Sequence, residues 1–365
     1  MTHPISVLVV DDSVAVRTAF SAIINADPGL TLFGTAQDPF VAVDRMRNDL
    51  PDVILLDIEM PRMDGLTFLK KIMTQCPVPV VVCSSHSQKG SIAAITALDL
   101  GAAEVLAKPD LTTVEARNRA AMRIGRAIRN AVGETASISG RGVNTEEGRS
   151  DARVSPDKIL PKRPPVRKAG QSPLVVIGSS TGGPDALRQV LTGLPRLAPA
   201  IAIVQHMPAE FTGPLARRLN DRCDINVAEA ATGDPLLPGS ALVAPGDQHM
   251  LIHRDGRHYV VEIIGGPFVS RHRPSVDVLF RSAAQAAGEN AMGMILTGMG
   301  DDGALCLGEI QACGGYTVGQ NEESCVVYGM PRAAADAGVL DKVAPLSQMS
   351  AEIMSWFGGK SRKAG

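Results

Sequence analysis

The sequence has 365 residues, which is enough for two domains of ordinary size that each bury a core of their own. Hydrophobic residues make up 45% of the chain, charged residues make up 20%, and the formal net charge is -2, a balance that disfavours nucleic-acid binding. No apolar run is long enough to span a membrane, no signal-peptide pattern opens the chain, and the cysteines form no C-x-x-C pair. We therefore expect a cytoplasmic protein without membrane insertion.

Residues 1–129 alternate apolar runs with amphipathic stretches. Buried strands are predicted for four of the runs: residues 5–10, 53–56, 80–82 and 104–107. Apolar residues at helical spacing follow the strands, as with Phe20 and Ile24 after the first. This alternation predicts a doubly wound α/β domain whose parallel strands all end at one edge of the sheet.

Polar side chains collect at the carboxyl edge of that predicted sheet: Asp11, Asp12, Asp57, Ser84 and Lys108. The three carboxylates repel one another unless a hard cation such as Mg²⁺ lies between them, so a metal ion is expected. One screened carboxylate can then attack a phosphoryl group, while Lys108 and the Ser84 hydroxyl contact its oxygens. Helix capping alone would explain Asp11 or Asp12, but it would not explain the lysine after the last strand.

This domain resembles the receiver domains of two-component systems, which are flavodoxin-like. The resemblance rests on three motifs: residues 9–13, residues 56–65 and Lys108-Pro109. It implies that Asp57 takes a phosphoryl group from a histidine kinase and that Ser84 and Lys108 sense it. It also implies a set of Mg²⁺ ligands: Asp11, Asp12, Asp57 and the backbone at Glu59. Receivers often carry an aromatic residue where this chain has Val105, which argues against coupling through an aromatic rotamer.

Hydrophobic periodicity stops over residues 130–171, where Gly, Ser, Pro, Glu and Arg dominate. A segment of this length without an apolar face predicts a flexible linker between two folding units. Basic residues near its end alternate with prolines, as in Lys162, Arg163 and Pro164. We interpret them as a solvated, stiffened linker rather than as a nucleic-acid contact.

Residues 172–357 again alternate strands with helices. Parallel strands of a Rossmann-like domain are predicted for four runs, residues 174–177, 200–204, 241–243 and 292–296, with an antiparallel hairpin within 250–264. A Gly-rich turn containing Ser180 follows the first run, His206 follows the second, and Asp301 and Asp302 follow the last. Because parallel strands end at one edge, these side chains are expected to converge.

A serine, a histidine and an aspartate at one edge predict nucleophilic catalysis. Histidine takes the proton of a serine hydroxyl that is otherwise a weak nucleophile, and a carboxylate orients the imidazole. Ser180 and His206 fill the first two positions, and either Asp301 or Asp302 fills the third, since spacing alone does not separate neighbours. The order Ser, His, Asp differs from that of α/β hydrolases. The backbone N–H groups at Thr181 and in the turn 298–300, which includes Met299, can stabilise an oxyanion.

Other polar residues of this domain have simpler explanations. His249 and His253 have metal-ligand spacing for a helix, but their surroundings indicate a strand, which favours structural histidines. The polar stretch 268–275 is either the N-terminal cap of a helix or a border of the site.

The second domain resembles the catalytic domain of chemotaxis protein-glutamate methylesterases. The resemblance rests on five segments: residues 177–184, 204–208, 273–280, 297–303 and 320–331. It implies catalytic Ser180, His206 and, from its spacing to the serine, Asp302 rather than Asp301.

In activity, the family implies hydrolysis of glutamyl methyl esters on chemoreceptors and deamidation of receptor glutamines, and no cofactor is expected for the esterase. The long linker and the two carboxyl-edge sites add the hypothesis of a phosphorylation-activated enzyme, in which the unphosphorylated receiver docks near the Ser180 turn and the charge of the phosphoryl group on Asp57 weakens that docking. The expected partners are a histidine kinase and the chemoreceptors. We expect residues 358–365 to form a C-terminal tail and the protein to be a monomer. The alternative is a phosphoacceptor or binding protein whose second domain is inactive.

Overall fold

A computed structural model of the chain describes residues 3–47, 49–60, 64–84, 88–108, 113–132, 154–165 and 172–364. The chain divides into two compact units, Met1–Gly140 and Arg141–Gly365. Within the part of the chain that the structure describes, none of the helices combines the length and the apolar character that crossing a bilayer requires.

The first unit is a parallel five-stranded sheet in which strands and helices alternate along the chain. Its elements are β1 (Ile5–Val10), α1 (Val14–Ala26), β2 (Leu30–Ala36), α2 (Pro39–Arg45), β3 (Val53–Asp57), α3 (Gly65–Gln75), β4 (Val80–Ser84), α4 (Gln88–Asp99), β5 (Glu104–Ala107) and α5 (Val114–Ala131). The strand order is β2-β1-β3-β4-β5, and the apolar faces of β1, β3 and β4 pack with α1 and α5 around Phe20 and Ile124. This confirms the doubly wound prediction for the first domain.

The second unit has a seven-stranded parallel sheet and a separate three-stranded antiparallel sheet. Its first half contains β6 (Leu174–Ser179), α6 (Gly183–Thr192), β7 (Ala200–Gln205), α7 (Ala209–Asn220), β8 (Asn226–Glu229), β9 (Pro235–Leu236), β10 (Ser240–Val243), β11 (His249–Asp255) and β12 (His258–Ile264). Its second half contains α8 (Val276–Ala287), β13 (Ala291–Ile295), α9 (Ala304–Ala312), β14 (Tyr316–Gln320), α10 (Met330–Asp336), β15 (Lys342–Ala344) and α11 (Met349–Ala364).

The larger sheet has the order β15-β14-β13-β6-β7-β10-β8, so β6 lies between β13 and β7. The chain leaves β6 toward β7 and later returns to its other side, which makes the carboxyl end of β6 a topological switch point. The antiparallel pair β11 and β12 confirms the predicted hairpin, and β9 adds a third strand to it.

Residues 154–165 lie within the stretch predicted to be a flexible linker, but in the structure they pack on the second unit. Arg281 of α8 donates to Asp157 Oδ1 at 2.8 Å and to the Leu160 carbonyl at 3.1 Å. Ile159 and Leu160 cover a small apolar cluster formed by Leu251, Val269 and Val278. We call this stretch the 154–165 segment.

Two further boundaries differ from the prediction. Helix α5 continues past residue 129 to Ala131, and α11 continues through the predicted tail to Ala364. In α11 the ammonium group of Lys360 donates to the Glu289 carbonyl, which ties this end of the chain to the unit.

Candidate active site and phosphoacceptor site

Ser180 lies directly after β6, in a turn whose backbone conformation favours glycine at position 182. Gly182, the N-cap of α6, has a φ of 76°, in the left-handed region that favours glycine. A Cβ on Gly183 would lie 2.0 Å from Gln205 Oε1. The Gly-rich sequence therefore brings the Ser180 backbone close to the ends of both neighbouring strands.

Hydrogen bonds join the Ser180 turn to those two strand ends. On the β7 side, the His206 amide donates to the Ser179 carbonyl at 3.0 Å, and Gln205 Nε2 donates to the Ser180 carbonyl at 2.9 Å. On the β13 side, the Ser180 amide donates to the Thr297 carbonyl at 3.0 Å. The loops that carry the predicted serine, histidine and aspartate are thus held together by their backbones.

The imidazole of His206 contacts Asp302, with Nε2 2.8 Å from the carboxylate Oδ2. Three further groups donate to the same carboxylate: Ser275 Oγ at 2.8 Å, the Val276 amide at 2.8 Å and the Asp277 amide at 3.0 Å. The two amides belong to the first turn of α8, where the helix dipole also favours a negative charge. Asp302 is completely buried, so it is oriented from every side.

Burial raises the pKa of Asp302, while the nearby His272 imidazole, the amides of Asp277 and Val276 and the Ser275 hydroxyl act in the opposite direction. Desolvation disfavours the carboxylate, whereas donors aimed at its oxygens favour it. The donors at the α8 terminus therefore reduce the cost of burying this carboxylate, although burial remains the larger effect and the pKa of Asp302 stays raised.

The structure distinguishes the two neighbouring aspartates between which sequence spacing could not choose the acid of the triad. Asp302 faces His206, whereas Asp301 accepts from Arg271 Nη2 at 2.7 Å in a partly exposed ion pair. Asp302, not Asp301, therefore lies beside the imidazole.

His272 is a site residue that sequence reasoning missed. Its ring stacks on His206 with a centroid distance of 3.8 Å and an interplanar angle of 2°. One atom each from His206, His272 and Asp302 lies close enough for the three residues to share a metal ion. The two rings are stacked in parallel, however, so their nitrogen lone pairs lie in separate parallel planes and do not converge on one point. This arrangement suits packing rather than shared coordination. The only available signal was the polar stretch 268–275, and it proves to be both a helix cap, at Ser275, and a border of the site.

The two backbone groups predicted around an oxyanion lie on adjoining loops. The Ser180 carbonyl, which shares a peptide group with the Thr181 N–H, accepts from Gln205 Nε2 at 2.9 Å, and the Thr181 carbonyl accepts from Thr297 Oγ1 at 2.9 Å. On the other side a Cβ on Gly298 would lie 2.7 Å from the Ser180 Cβ, so the turn before Met299 reaches the serine closely.

The predicted structural histidines occur on β11. His249 is fully buried and its Nε2 donates to the Pro267 carbonyl at 2.9 Å, while His253 Nε2 lies 2.6 Å from Glu262 Oε2 at the surface. The two rings therefore have separate partners.

In the first unit, the carboxyl edge gathers the predicted acidic residues. One carboxylate oxygen each from Asp11, Asp12 and Asp57 lies within 4.8 Å of the others. Asp57 Oδ2 accepts from Lys108 Nζ at 2.7 Å, and its Oδ1 accepts from the Glu59 amide at 3.0 Å. Ser84 ends β4 and is fully buried at the same edge.

These residues fit a hard divalent cation. Asp11 Oδ2 is buried and accepts no hydrogen bond among the described residues, although Lys108 Nζ lies 3.1 Å away. Burial raises the pKa of Asp11, and the Ser13 amide and Lys108 oppose this. Burial lowers the pKa of Lys108, but its contacts with Asp57 and Asp11 outweigh burial and raise it overall. An under-coordinated buried oxygen beside two more carboxylates is the donor set that Mg²⁺ uses.

Comparison with known proteins gives a match to each unit. The response regulator receiver domain family matches residues 7–117, and the CheB methylesterase family matches residues 175–353. The crystal structure of the Thermotoga maritima CheB methylesterase catalytic domain is 34% identical, covers 51% of this chain and 99% of its own, and has a TM-score of 0.50.

Relatives of similar length match almost the whole chain. A protein-glutamate methylesterase/protein-glutamine glutaminase of Cereibacter sphaeroides is 52% identical, covering 96% of this chain and 94% of its own. A protein of the same description from Rhodopseudomonas palustris is 51% identical, covering 96% of each chain. With a receiver domain followed by a CheB methylesterase domain, this chain belongs to the protein-glutamate methylesterase/protein-glutamine glutaminase family.

Proposed function

We propose that the second unit hydrolyses glutamyl methyl esters on chemoreceptors and deamidates receptor glutamines by the same route. The observation that carries this proposal is the 2.8 Å contact between His206 and the buried Asp302, beside the Ser180 turn at a topological switch point. The relatives that match almost the whole chain carry both activities in their names.

In the proposed reaction, Ser180 Oγ attacks the ester carbonyl carbon while His206 takes the hydroxyl proton. Because Nε2 of His206 faces Asp302, its Nδ1 is the nitrogen assigned to that proton. The imidazolium, stabilised by Asp302, passes the proton to the departing methanol and leaves an acyl-enzyme. A water molecule activated by His206 then releases the glutamate carboxylate. A glutamine side chain would lose ammonia in place of methanol.

Two backbone N–H groups, those of Thr181 and Met299, are assigned to the oxyanion that forms on the carbonyl oxygen. Each well-placed donor of this kind contributes about 3 kcal/mol to the transition state. The Ser180 turn and the turn before Met299 adjoin, which supports this assignment.

The test is methanol release from methylated receptor, together with labelling by a fluorophosphonate that reacts with activated serines. We expect wild type to be labelled and active, and Ser180→Ala to lose both, with a fall in rate of about 10⁶. Ser179→Ala is the matched control, since Ser179 Oγ donates to Gln205 and is fully buried. An unlabelled, inactive wild type would instead favour a binding protein with an inactive second domain.

For the first unit, we propose that Asp57 accepts a phosphoryl group from a histidine kinase. Asp11, Asp12, Asp57 and the backbone at Glu59 would hold Mg²⁺, which would neutralise charge on the incoming phosphoryl oxygens. Lys108 is already within 2.7 Å of the Asp57 oxygen and would contact the bound phosphoryl group with Ser84. Transfer from a phosphorylated kinase should vanish in Asp57→Asn and in excess chelator, and transfer to the variant would refute the assignment.

We also propose a cytoplasmic monomer. Each of the two units has a core of its own within one chain. Sedimentation of the full chain at micromolar concentration should give the mass of one chain, and a dimer mass would refute the monomer.

A further inference from the structure

We infer that His272 is a positioning residue for His206, and that the 154–165 segment holds the loop that carries it. The inference rests on the proposed esterase function. The stacked pair, with rings 3.8 Å apart and only 2° from parallel, places one whole face of the His206 imidazole against a second ring. A ring held on one face by a flat neighbour and at Nε2 by Asp302 has few orientations left.

The His272 ring is itself fixed by the backbone. Its Nδ1 donates to the Ser270 carbonyl at 2.8 Å. Ser270 has a φ of 47°, a left-handed conformation that is uncommon for serine. Its hydroxyl donates to Asp277 Oδ2 at 2.8 Å, and the amide of Asp277 in turn donates to Asp302. The first turn of α8 therefore anchors both neighbours of His206, the carboxylate and the stacked ring.

The 154–165 segment completes this anchoring from outside. The Ser270 amide donates to the Val154 carbonyl at 3.2 Å. The segment therefore fixes Ser270, whose carbonyl accepts the hydrogen bond from His272. Ile159 covers Val269 and Val278, which lie on either side of the loop. The ion pair of Asp157 with the buried Arg281 joins the same segment to α8.

His272 influences the pKa of Asp302 through its charge but does not hydrogen-bond to that carboxylate, so its structural contact with the pair is the stacked His206 ring. The Nδ1 of His272 is 3.8 Å from Asp302 Oδ2, beyond hydrogen-bond distance, and that nitrogen already donates to Ser270. Its contribution is the orientation of the general base, which affects proton transfer more than substrate binding. Misplacement of a reacting group by about 1 Å costs on the order of 100-fold in rate.

Three substitutions in the full-length protein separate the stacked ring from its hydrogen bond. His272→Ala removes both, His272→Phe keeps a flat ring, and His272→Asn keeps a donor near the Nδ1 position. We expect kcat for methanol release to fall about 10- to 100-fold in His272→Ala and His272→Asn, with KM within about twofold of wild type. His272→Phe should recover most of kcat.

His253→Ala is the matched control, because His253 is an exposed histidine of the same unit that pairs with Glu262. Thermal unfolding of each variant shows whether a lower kcat comes from loss of folding or from loss of positioning. The comparison of kcat between His272→Phe and His272→Asn remains informative even if all variants are less stable than wild type. The inference is wrong if His272→Ala keeps kcat within twofold, if the loss is confined to KM, or if Asn restores kcat and Phe does not. An inactive wild type would instead refute the proposed function.

Discussion

At the scale of single residues, Asp302 is distinguished by the number of donors around it. Its two carboxylate oxygens accept from one imidazole, one hydroxyl and two backbone amides. Replacing Asp302 with asparagine would place a side-chain NH₂ group where a carboxylate oxygen now accepts, so that donors would face donors. The residue is therefore both an orienting group and a structural one.

For Asp302→Asn we expect kcat for methanol release to fall about 10³- to 10⁴-fold, because the amide no longer fixes the imidazole tautomer. The thermal midpoint should fall as well, since a donor now faces the amides of α8. Steady-state methanol release and thermal unfolding measure the two effects. Asp301→Asn is the neighbouring control, and because Asp301 pairs with the exposed Arg271 at a partly exposed position, it should keep kcat within a few-fold. Equal losses in both variants would contradict the assignment.

His249 supplies a prediction about pH. Burial lowers the pKa of His249 below its usual value of 6.5, although the hydrogen bond to the Pro267 carbonyl opposes this. Its Nδ1 accepts from the Ser275 amide at 3.2 Å, so protonation there would break a bond that supports the α8 cap. The folded protein therefore resists protonation, whereas the unfolded chain binds the proton at about pH 6.5.

The free energy of unfolding should consequently fall as pH drops below about 6.5, by at most about 1.4 kcal/mol per pH unit from this group. The fall should end once the pH passes below the lowered pKa of folded His249. Urea denaturation between pH 7 and pH 5 measures the slope, and His249→Gln should reduce it. His258→Gln, at an exposed position on β12, is the control. An unchanged slope in His249→Gln would contradict the prediction.

At the scale of elements, α8 connects most of the features described above. Its first turn holds Asp302, and further along it the guanidinium of Arg281 is 2% exposed and pairs with Glu309 of α9 at 2.7 Å. The same side chain contacts Asp157 and the Leu160 carbonyl. One buried cation thus joins α8, α9 and the 154–165 segment.

Arg281→Ala should lower the free energy of unfolding by about 3–5 kcal/mol, because it leaves the largely buried Glu309 without its partner. Urea denaturation at constant pH checks this value. Asp157→Ala removes the other ion pair but leaves Arg281 paired with Glu309, and Asp157 is about half exposed. Its effect should be much smaller. If both variants lose the same stability, the buried pair is not the dominant contact.

Most helices and the central strands could be predicted because their apolar residues have clear periodicity. The edge strands β2, β8 and β15 were not predicted, and neither was β14, whose short sequence contains Gly319. An edge strand exposes one side, so polar residues such as Lys342 are tolerated and the apolar run is lost. The 154–165 segment was assigned to the linker because Ile159 and Leu160 are too few to show a pattern.

For the site, sequence order predicted which strand ends would meet, but not which side chains would touch. Asp302 and Asp301 follow the same strand, and only the backbone path of the loop turns one of them toward His206. The stacking of His272 depends on the left-handed conformation at Ser270. A serine in a sequence does not predict that conformation. Local backbone geometry therefore determines what motif spacing leaves open.

At the scale of the whole molecule, control by phosphorylation can be tested with a shortened chain. A fragment spanning 141–365 contains the second unit with its 154–165 segment. It should release methanol faster than the unphosphorylated full-length protein, and a small-molecule phosphodonor should accelerate the full-length protein but not the fragment. The physical reason is that phosphorylation replaces the single negative charge of the Asp57 carboxylate with a phosphoryl group that carries a charge of about -1.5 to -2, which changes what the receiver can bind.

Asp57→Asn in the full-length protein is the control, and it should stay slow with or without phosphodonor. A second fragment that begins at Ser172 lacks the 154–165 segment. It should be slower and less stable than the longer fragment, because Ser270 loses the Val154 carbonyl and the apolar cluster loses the cover of Ile159 and Leu160. If the longer fragment is no faster than the full-length protein, inhibition by the receiver is refuted.

The attachment of the 154–165 segment also sets how far apart the two units can move. The last described residue of the first unit is Val132, and the chain is held again at Val154, so 21 residues join the anchored parts. At full extension they reach about 75 Å, whereas a connection that ran to Leu174 would reach about 145 Å. One unit confined within 75 Å of the other has an average local concentration of about 1 mM, against about 0.1 mM for the longer reach. The attachment of the 154–165 segment therefore raises the local concentration of one unit around the other about tenfold above that of the longer connection, and far above that of separate halves mixed at micromolar concentration.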